Sequence, residues 1–595
     1  MNADVRTDAR GRLPATSASI RVLPLIALLL SCVRPSPQPV PSASSDPRFE
    51  WFEYRGDDSV YRAVRAGPDE YLNPILPGFY PDPSLVRVGG DYYLVASSFA
   101  YFPGVPIFHS RDLVSWTQLG HVLDRPSQLD LDGAGISRGI FAPAIQYHAG
   151  TYYMITTLVD RGGNFLVTAT DPAGPWSDPV WLREIDGIDP SLFFDDDGRA
   201  YVVNNGPPAG TPRYEGHRAI WMQEYDAAAK RLVGPREVIV DGGVDLSKQP
   251  IWIEAPHIFK RNGRYYLICA EGGTGYEHSE VVFRGDSPRG PYVPHAGNPI
   301  LTQRHLDRAR PFPVTSTGHA DFVETPAGEW WAVFLGVRPY GDDLYNTGRE
   351  TFLLPVRWVD DWPVILAGEA AVPYANRRPA LPAQPTQPTQ PTQPAAPVPT
   401  AGNFVVRDDF DGPALAPYWV LMRTPRERWY DLATPRGALT LRARPVELGS
   451  TAQPSFVGRR QQHASASATA AMRYVPAKPG DEAGLVAFQN EAHYYALGVT
   501  RAPDGGTVVQ LERRAGGTDP AGGTVVASAP VRLPADAPLY LRIQARGGRY
   551  DFYYGHSPND WTLLRGDLDG TILSTRVAGG FVGTMLGMYA YSPGR

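Results

Sequence analysis

Three acidic residues, Asp82, Asp189 and Glu254, stand at or just before the start of a phrase that the chain repeats five times. Each copy has alternating apolar residues, a polar turn with Gly, and then an aromatic-rich apolar run. A carboxylate that accepts a proton and a carboxyl that donates one are the groups that general acid–base hydrolysis needs. Asp-Pro-Ser also starts ordinary turns. Three acids in phase nevertheless favour a shared site.

The spacing of the copies indicates how these acids could meet. The copies begin 47 to 66 residues apart, at Asp82, Ala142, Asp189, Ala255 and Ala320. This period fits a small sheet of about four strands, and the Gly-containing turn in each copy is typical of a β-hairpin. The sequence therefore predicts an all-β fold with a five-bladed β-propeller. Equivalent positions of the blades lie at one height around a central channel, so the acids, Phe141 and His319 should surround one mouth.

Several of these segments carry recognisable motifs: PDPS at Asp82, IDPS at Asp189, IEAPH at Glu254, GHAD at His319, SSFAYFPGVPIFHSRDL and GRETFLLPV. From about Asn73 to the C-terminus the chain resembles glycoside hydrolase family 43, on its β-xylosidase and α-L-arabinofuranosidase branch. The resemblance implies that Asp82 is the general base, Glu254 the general acid, and Asp189 the carboxylate that tunes and orients the acid. It also implies an inverting mechanism, for which base and acid stand about 6.5–9.5 Å apart with water between them.

The same resemblance assigns further residues to a sugar pocket. Phe99 and Phe141 match its hydrophobic wall, and Arg349 matches an arginine that hydrogen-bonds sugar hydroxyls. Phe581 matches a phenylalanine that the C-terminal domain brings to the active-site mouth. His319 matches an axial histidine that contacts a metal or water, so it is the candidate for substrate contact and for a structural Ca²⁺, although no cofactor is expected to be required. The alternatives are blade core for Phe99, sandwich core for Phe581, a surface ion pair for Arg349 and a buried, hydrogen-bonded role for His319.

The N-terminal segment is predicted to direct export. Arginines precede a short apolar stretch from Val22 to Leu30, which fits a signal peptide and is too short to span a membrane. The stretch ends in Leu-Leu-Ser-Cys, which resembles a bacterial lipobox, so residues 1–32 are predicted to be a signal peptide with Cys32 as the lipidation site. The expected location is the bacterial cell envelope, with the lipid at Cys32 as the only membrane contact. A periplasmic or secreted protein is the alternative.

Composition divides the remainder of the chain. Residues 33–47 form a Pro/Ser-rich tether, residues 48–378 the predicted propeller, and residues 379–402 a Pro/Thr/Gln linker that cannot build a core. Residues 403–595 contain many short alternating segments, which predict a β-sandwich of the jelly-roll, concanavalin-like type. Its start, RDDFDGPALAPYWV, resembles the sandwich that follows the propeller in the xylosidase branch.

The combined prediction is an exo-acting glycosidase, because a pocket closed by a second domain favours chain ends. Its expected substrate is xylo-oligosaccharide or arabinoxylan, from which it would remove terminal β-1,4-xylosyl units. An α-L-arabinofuranosidase or a bifunctional enzyme is the nearest alternative, since the two sugars present similar hydroxyl layouts. The acid–base set argues against a non-catalytic glycan-binding protein. A net charge of −6 gives no basic footprint for nucleic acid, and the oligomeric state stays open.

Overall fold

The computed structural model describes residues 46–366, 370–384, 399–533 and 537–594. The predicted all-β fold, a five-bladed propeller followed by a sandwich, is confirmed. Cys32 with the predicted signal peptide, almost all of the tether and most of the Pro/Thr/Gln linker lie outside the described residues. Within these ranges no helix is long and apolar enough to cross a membrane. The helical segments are short: Val60–Ala63, Leu246–Lys248, Gly570–Leu573 and Thr575–Ala578.

Each blade is one antiparallel sheet whose strands follow one another in the sequence, except that Tyr101–Phe102, between the second and third strands of blade 1, pairs with the sandwich. Blade 1 contains Ser84–Val88, Asp91–Val95, Gly104–Ser110 and Thr117–Leu123. Blade 2 contains Ile140–His148, Thr151–Leu158, Gly163–Ala169 and Val180–Trp181. Blade 3 contains Ile188–Phe194, Ala200–Gly206, Ala219–Asp226 and Arg231–Asp241. Blade 4 contains Glu254–Arg261, Arg264–Glu271, Ser279–Gly285 and Val293–Pro294. A fifth short strand, Leu301–Thr302, also pairs with Ser279–Gly285. Blade 5 contains Thr315–Glu324, Trp330–Val337, Glu350–Val359 and Trp362–Val364.

Every blade has a residue in the left-handed region of backbone space, just before its first strand in blade 1 and within that strand in the other four blades. These residues are Asp82 (φ 56°), Ala142 (22°), Asp189 (53°), Ala255 (52°) and His319 (55°). In blades 2 to 5 the pairing register of the first strand shifts at the same place, as a β-bulge does when it re-aims a side chain. The fifth copy is therefore in phase from His319, one residue earlier than the sequence pattern indicated.

The ring of blades closes between blade 5 and blade 1. The Asn73 side chain bridges to the backbone of Leu353 through its amide nitrogen (2.9 Å to the carbonyl) and its oxygen (3.0 Å to the N–H). The short strands Glu70–Leu72 and Ala375–Arg377 pair just outside this contact. Tyr92 packs with Trp331 in one buried apolar cluster that spans the two blades. The closure thus joins the segments at both ends of the propeller sequence.

The sandwich consists of two antiparallel sheets. The first sandwich sheet contains, in spatial order, Tyr430–Asp431, Leu439–Leu441, Arg48–Gly56, Ser465–Arg473, Leu539–Arg546, Arg549–Ser557 and Asp560–Asp569, with Val405–Asp408 also paired to Arg48–Gly56. The second sandwich sheet contains Thr524–Pro530, Thr507–Ala515, His493–Arg501, Glu482–Asn490, Met585–Tyr591, Ser455–Arg460, Val420–Met422 and Tyr101–Phe102. One cluster of buried apolar side chains runs from between these sheets into blades 1 and 2.

The predicted start of the propeller at residue 48 is wrong. Arg48–Gly56 lies inside the first sandwich sheet, where it pairs with Ser465–Arg473. Phe49, Phe52 and Tyr54 of this strand are buried in the sandwich core, with a register shift between Phe49 and Trp51. Burial of these large apolar side chains favours the position of the strand in the sandwich. The propeller is therefore an insertion after the first strand of the sandwich.

A buried arginine joins the inserted propeller to the sandwich. Arg338, next to the second strand of blade 5, donates to both carboxylate oxygens of Glu350 at 2.6 and 2.8 Å. It also donates to Asp58 at 2.8 Å, just after the first sandwich strand, and to the Gln462 carbonyl at 3.1 Å. A buried charge that loses such partners costs several kcal/mol. This arginine therefore fixes three distant chain segments relative to one another.

Candidate active site in the propeller channel

The three predicted acids come from blades 1, 3 and 4 and meet at the mouth of the channel. Asp82, Asp189 and Glu254 are only 5, 6 and 7% exposed. Asp189 accepts a hydrogen bond from the N–H of Ala255 at 3.2 Å, the residue directly after Glu254. The charge on each of Asp82 and Asp189 also raises the pKa of Glu254. The structure thus places all three carboxyl groups in one electrostatic environment.

Asp82 is surrounded by groups that favour its ionised form. Arg349 donates to Oδ1 at 2.7 Å and Ser97 donates to Oδ2 at 2.6 Å. Nδ1 of His319 lies 3.6 Å from Oδ1. Burial raises the pKa of Asp82, but Arg349, His319 and Ser97 together hold the pKa of this carboxyl below its ordinary value. Asp82 is therefore a buried carboxylate that can accept a proton.

At Glu254 and Asp189 the surroundings favour the protonated form of the carboxyl group, the opposite of Asp82. Burial, followed by the charges of Asp189 and Asp82, raises the pKa of Glu254 well above its ordinary value. Burial and the Asp82 charge raise the pKa of Asp189 to about 7. Arg349 and Arg218 oppose both changes only in part. The site thus holds an ionised Asp82 beside two carboxyl groups with raised pKa values, that of Asp189 at about 7 and that of Glu254 well above its ordinary value.

A second ring of polar side chains lies two residues after the left-handed positions and links the blades. Ser84 of blade 1 donates to Asp321 of blade 5 at 2.7 Å, and Asp321 lies 3.5 Å from His257 of blade 4. Ser191 of blade 3 donates to the carbonyl of Pro256 at 2.5 Å. Because these contacts cross blade boundaries, they fix the spacing of the acids above them.

An aromatic wall stands beside the acids and includes a residue from the sandwich. The ring of Phe581 lies 6.3 Å from that of Phe99 and 5.4 Å from that of Phe141. The Arg349 guanidinium lies 5.6 Å from the Phe581 ring centroid, and the Phe581 N–H donates to Ser137 Oγ at 3.0 Å. The structure therefore brings together every propeller residue predicted for the pocket with the predicted sandwich residue.

His319, the residue predicted to contact a metal or water, lies buried in the channel. Burial lowers the pKa of His319 to about 3, so the imidazole is neutral. Calcium takes about six to eight oxygen ligands, and among the described residues no group of three or more His, Cys, Asp or Glu side chains is placed to hold a metal ion. Calcium binding therefore stays a prediction, and no chemical step is assigned to it.

Sequence reasoning missed three residues around the site. Glu280 is fully buried and accepts the N–H of Ala320 at 2.9 Å, which holds the backbone at His319. Arg218 is half-buried, and its charge lowers the pKa of both Glu254 and Asp189. Trp252 stacks on Arg218 at 5.0 Å and precedes the IEAPH motif by one residue. Only Trp252 had a signal in the sequence, as an aromatic residue beside a candidate acid.

Comparison with known proteins matches this architecture along almost the whole chain. The model of "Glycosyl hydrolases family 43" matches residues 71–363, and that of the "Beta xylosidase C-terminal Concanavalin A-like domain" matches residues 407–595. A "Xylosidase/arabinosidase" of Butyrivibrio fibrisolvens is 40% identical over 88% of this chain and 96% of its own length. The chain belongs to glycosyl hydrolase family 43. It is therefore a glycoside hydrolase.

Other family 43 members agree in sequence and in structure. A "Non-reducing end alpha-L-arabinofuranosidase" of Bacteroides ovatus is 36% identical over 88% of this chain and 92% of its own length. The crystal structure of a family 43 protein retrieved from a capybara gut metagenome is 42% identical and superposes with a TM-score of 0.84. That match covers 92% of this chain and all of the other. The predicted family resemblance is thus confirmed for the propeller and the sandwich.

Replacing Phe581 with Ala should lower kcat/KM on a small soluble glycoside roughly tenfold to hundredfold, because one wall of the pocket is lost. Water would also enter beside Arg349 and the acids. Leu563→Ala is the control, since it removes an exposed apolar side chain from the first sandwich sheet. Steady-state kinetics with matched melting temperatures checks this. Wild-type kcat/KM in Phe581→Ala would assign Phe581 to sandwich packing alone.

Proposed function

We propose that this family 43 enzyme is an exo-acting β-xylosidase that removes terminal β-1,4-linked xylosyl units from xylo-oligosaccharides with inversion. The observation that carries this proposal is the opposite balance of charges at Asp82 and Glu254 within one buried site. Two titratable groups whose surroundings push their pKa values apart are suited to the separate roles of base and acid.

The proposed reaction is a single displacement. Asp82 accepts a proton from a water molecule, and the water oxygen bonds to the anomeric carbon of the terminal sugar. Glu254 donates its proton to the glycosidic oxygen as the bond from that oxygen to the anomeric carbon breaks. Asp189 keeps the pKa of Glu254 high and, through the N–H of Ala255, fixes the backbone beside it. Arg349 holds Asp82 in place and faces the sugar together with Phe581.

The wall formed across two domains supports action at chain ends. Phe99, Phe141 and Phe581 pack around one side of the acids, and Phe581 is supplied by the sandwich. A site closed in this way suits one terminal sugar, whereas internal cleavage requires an open groove. The Butyrivibrio relative, a "Xylosidase/arabinosidase", supports xylose as that sugar.

α-L-Arabinofuranosidase activity is the second candidate. The Bacteroides ovatus relative carries that name alone, and the Butyrivibrio relative carries both. A single site that hydrolyses both kinds of bond would need only the same acid, base and arginine. Parallel assays with 4-nitrophenyl β-D-xylopyranoside and 4-nitrophenyl α-L-arabinofuranoside separate the two activities.

The proposed place of action is the bacterial cell envelope, with the chain held by a lipid at Cys32. The support is the order of the N-terminal sequence: arginines, a short apolar stretch and Leu-Leu-Ser-Cys. An enzyme in that position would meet oligosaccharides that other enzymes release from hemicellulose outside the cytoplasm.

Glu254→Gln should lower hydrolysis of xylobiose about 10²–10⁴-fold, because the leaving oxygen is no longer protonated. Hydrolysis of β-xylosyl fluoride should fall far less, since fluoride leaves without a proton. Asp82→Asn should impair both substrates, because both need the activated water. Glu271→Gln, a half-buried acid of the same blade, is the matched control. Equal losses on the two substrates in Glu254→Gln would contradict the acid assignment.

Asp189→Asn should move the alkaline limb of the pH profile of kcat/KM to lower pH. Removal of the Asp189 charge lowers the pKa of Glu254, so Glu254 loses its catalytic proton earlier as pH rises. Asp197→Asn, which removes an exposed acid from the turn of the same blade, should leave the profile unchanged. An alkaline limb that stays in place or moves to higher pH in Asp189→Asn would refute the proposed influence of Asp189 on the acid.

A further inference from the structure

A second cavity, of about 490 Å³, lies in the sandwich and contains no propeller residue in its lining. Its volume falls in the range of about 300–1,000 Å³ that is usual for ligand sites. We name it the sandwich pocket and define it by Glu482, Tyr494, Glu512, Tyr589 and Tyr591. These residues lie on four neighbouring strands of the second sandwich sheet. The pocket thus combines three phenol rings with two carboxyl groups on one sheet.

Glycines in the middle of this sheet make room for the polar groups. Gly484 and Gly498 lie opposite each other on adjacent strands. Glycine weakens the interior of a strand, so its presence there often marks a place where another group must approach the backbone closely. A Cβ atom on Gly498 would lie 2.2 Å from Glu482 Oε1 and 2.5 Å from the Tyr589 hydroxyl. Glycine at position 498 therefore permits a carboxyl and a phenol to be held at the base of the pocket.

Two acids of the pocket, Glu482 and Glu512, hold their protons more tightly than ordinary carboxyl groups do. Glu482 is only 7% exposed, and its Oε1 accepts a hydrogen bond from the Tyr589 hydroxyl. Burial raises the pKa of Glu482 well above its ordinary value and that of Glu512 to about 7. The lining arginine, Arg501, donates towards the carbonyls of Pro476 and Ala477. Glu447 also lines the pocket, and its charge contributes to the raised pKa of Glu512. The lining therefore disfavours an anion.

The chemistry of the lining matches a ring-shaped, uncharged molecule with many hydroxyl groups. Tyr591 is the partly exposed phenol of the lining, whereas Tyr494 and Tyr589 are only 2 and 3% exposed and lie at the base of the pocket. A phenol ring offers an apolar face together with a polar tip, and the carboxyl and amide groups of Glu482, Gln510 and Glu512 can donate to and accept from hydroxyls. From Tyr494 to Thr500 the lining strand extends over roughly 20 Å. We propose that the sandwich pocket binds a neutral pentose oligosaccharide at a site separate from the catalytic channel. The pentose class rests on the proposed function.

Calorimetric titration of the full chain tests the site. The titration uses the Glu254→Gln variant, which hydrolyses its substrate too slowly to consume it during the measurement. In this variant xylotetraose or 1,5-arabinotetraose should bind at two sites, the catalytic channel and the sandwich pocket. Adding Tyr591→Ala should remove one site, and adding Glu512→Gln, which keeps the side-chain shape, should weaken it at least fivefold. Tyr553→Ala, a half-buried tyrosine of the first sandwich sheet, should leave two sites. With Glu254 intact, Tyr591→Ala should not alter kcat/KM on an aryl xyloside.

Each contrary outcome has a distinct meaning. One site in every variant, or two sites that persist in Tyr591→Ala, would overturn the sandwich pocket. Binding of spermine in place of both oligosaccharides would also overturn it, because the pocket would then take a cation. Failure of the proposed function would show separately: the oligosaccharides would bind only at the site that Tyr591→Ala removes, and no binding would be seen in the catalytic channel.

An independent observation concerns the rim of the catalytic channel. Trp252 has a φ of 53° and is 39% exposed. A bulky residue rarely adopts this left-handed backbone conformation. Backbone strain of this kind is concentrated at functional sites. Its N–H donates to the Gly216 carbonyl at 2.9 Å, and its ring lies 5.0 Å from the Arg218 guanidinium. The backbone therefore holds an aromatic face open to solvent beside an arginine that acts on Glu254.

The position of this face relative to the acid indicates its ligand. Glu254 protonates the oxygen of the departing group in the proposed mechanism, so the departing sugar must lie on the Glu254 side of the channel. We infer that Trp252, oriented by Arg218, forms the wall that stacks against the leaving-group sugar. This inference rests on the proposed function. It makes Trp252 a specificity residue for oligosaccharides and gives it no part in proton transfer.

Trp252→Ala tests this wall with two substrates that differ only in the leaving group. Its kcat/KM on xylobiose should fall at least tenfold, and that on β-xylosyl fluoride less than threefold, since fluoride cannot reach the ring. Trp362→Ala is the control, because Trp362 also stacks on an arginine, Arg284, but belongs to the last strand of blade 5. Equal losses on both substrates, or none, would overturn the inference. Absence of wild-type activity on both would instead refute the proposed function.

Discussion

The structure of the site depends on one backbone constraint, the left-handed residue beside the first strand of each blade. Such a conformation costs a non-glycine residue of order 1–3 kcal/mol and persists only where its surroundings hold it. At Asp82 the hydrogen bonds from Arg349 and Ser97 do so, and at Asp189 the N–H of Ala255 does so. The contacts that hold the strained backbone are therefore the same contacts that set the ionisation of the acids.

Burial affects all three acids alike, so the difference between them comes from their partners. Asp82 receives a guanidinium, a hydroxyl and a nearby imidazole, whereas Glu254 is influenced mainly by two other carboxyl groups. The ring of left-handed residues gives each blade a similar backbone, whereas the side chains at or beside that position differ between blades and include Asp82, Asp189, Glu254 and His319. In this way a repeated structure produces an asymmetric site.

The repeats predicted the propeller and the meeting of the acids because both follow from local pattern and rotational symmetry. The strand Arg48–Gly56 was assigned to the wrong domain, since alternation shows that a strand has a buried face and does not show which sheet buries it. Arg218 and Glu280 were missed because each acts through loops or backbone groups that are distant in sequence. The position of a residue in the repeat predicted where it would lie in the propeller, whereas the sequence carries no comparable pattern for contacts between irregular segments.

Insertion of the propeller into the sandwich also separates two partner strands of one sheet by the whole length of the propeller sequence. The strand Arg48–Gly56 leaves the ribosome roughly 400 residues before Ser465–Arg473, its partner in the sheet, and non-local pairings of this kind form late. The propeller can close while that strand still has no partner. Phe581 joins the channel only after nearly the whole chain has emerged. A chain that ends before residue 581 consequently lacks one wall of the pocket, so the completeness of the active site depends on the last segments of the sandwich as well as on the propeller.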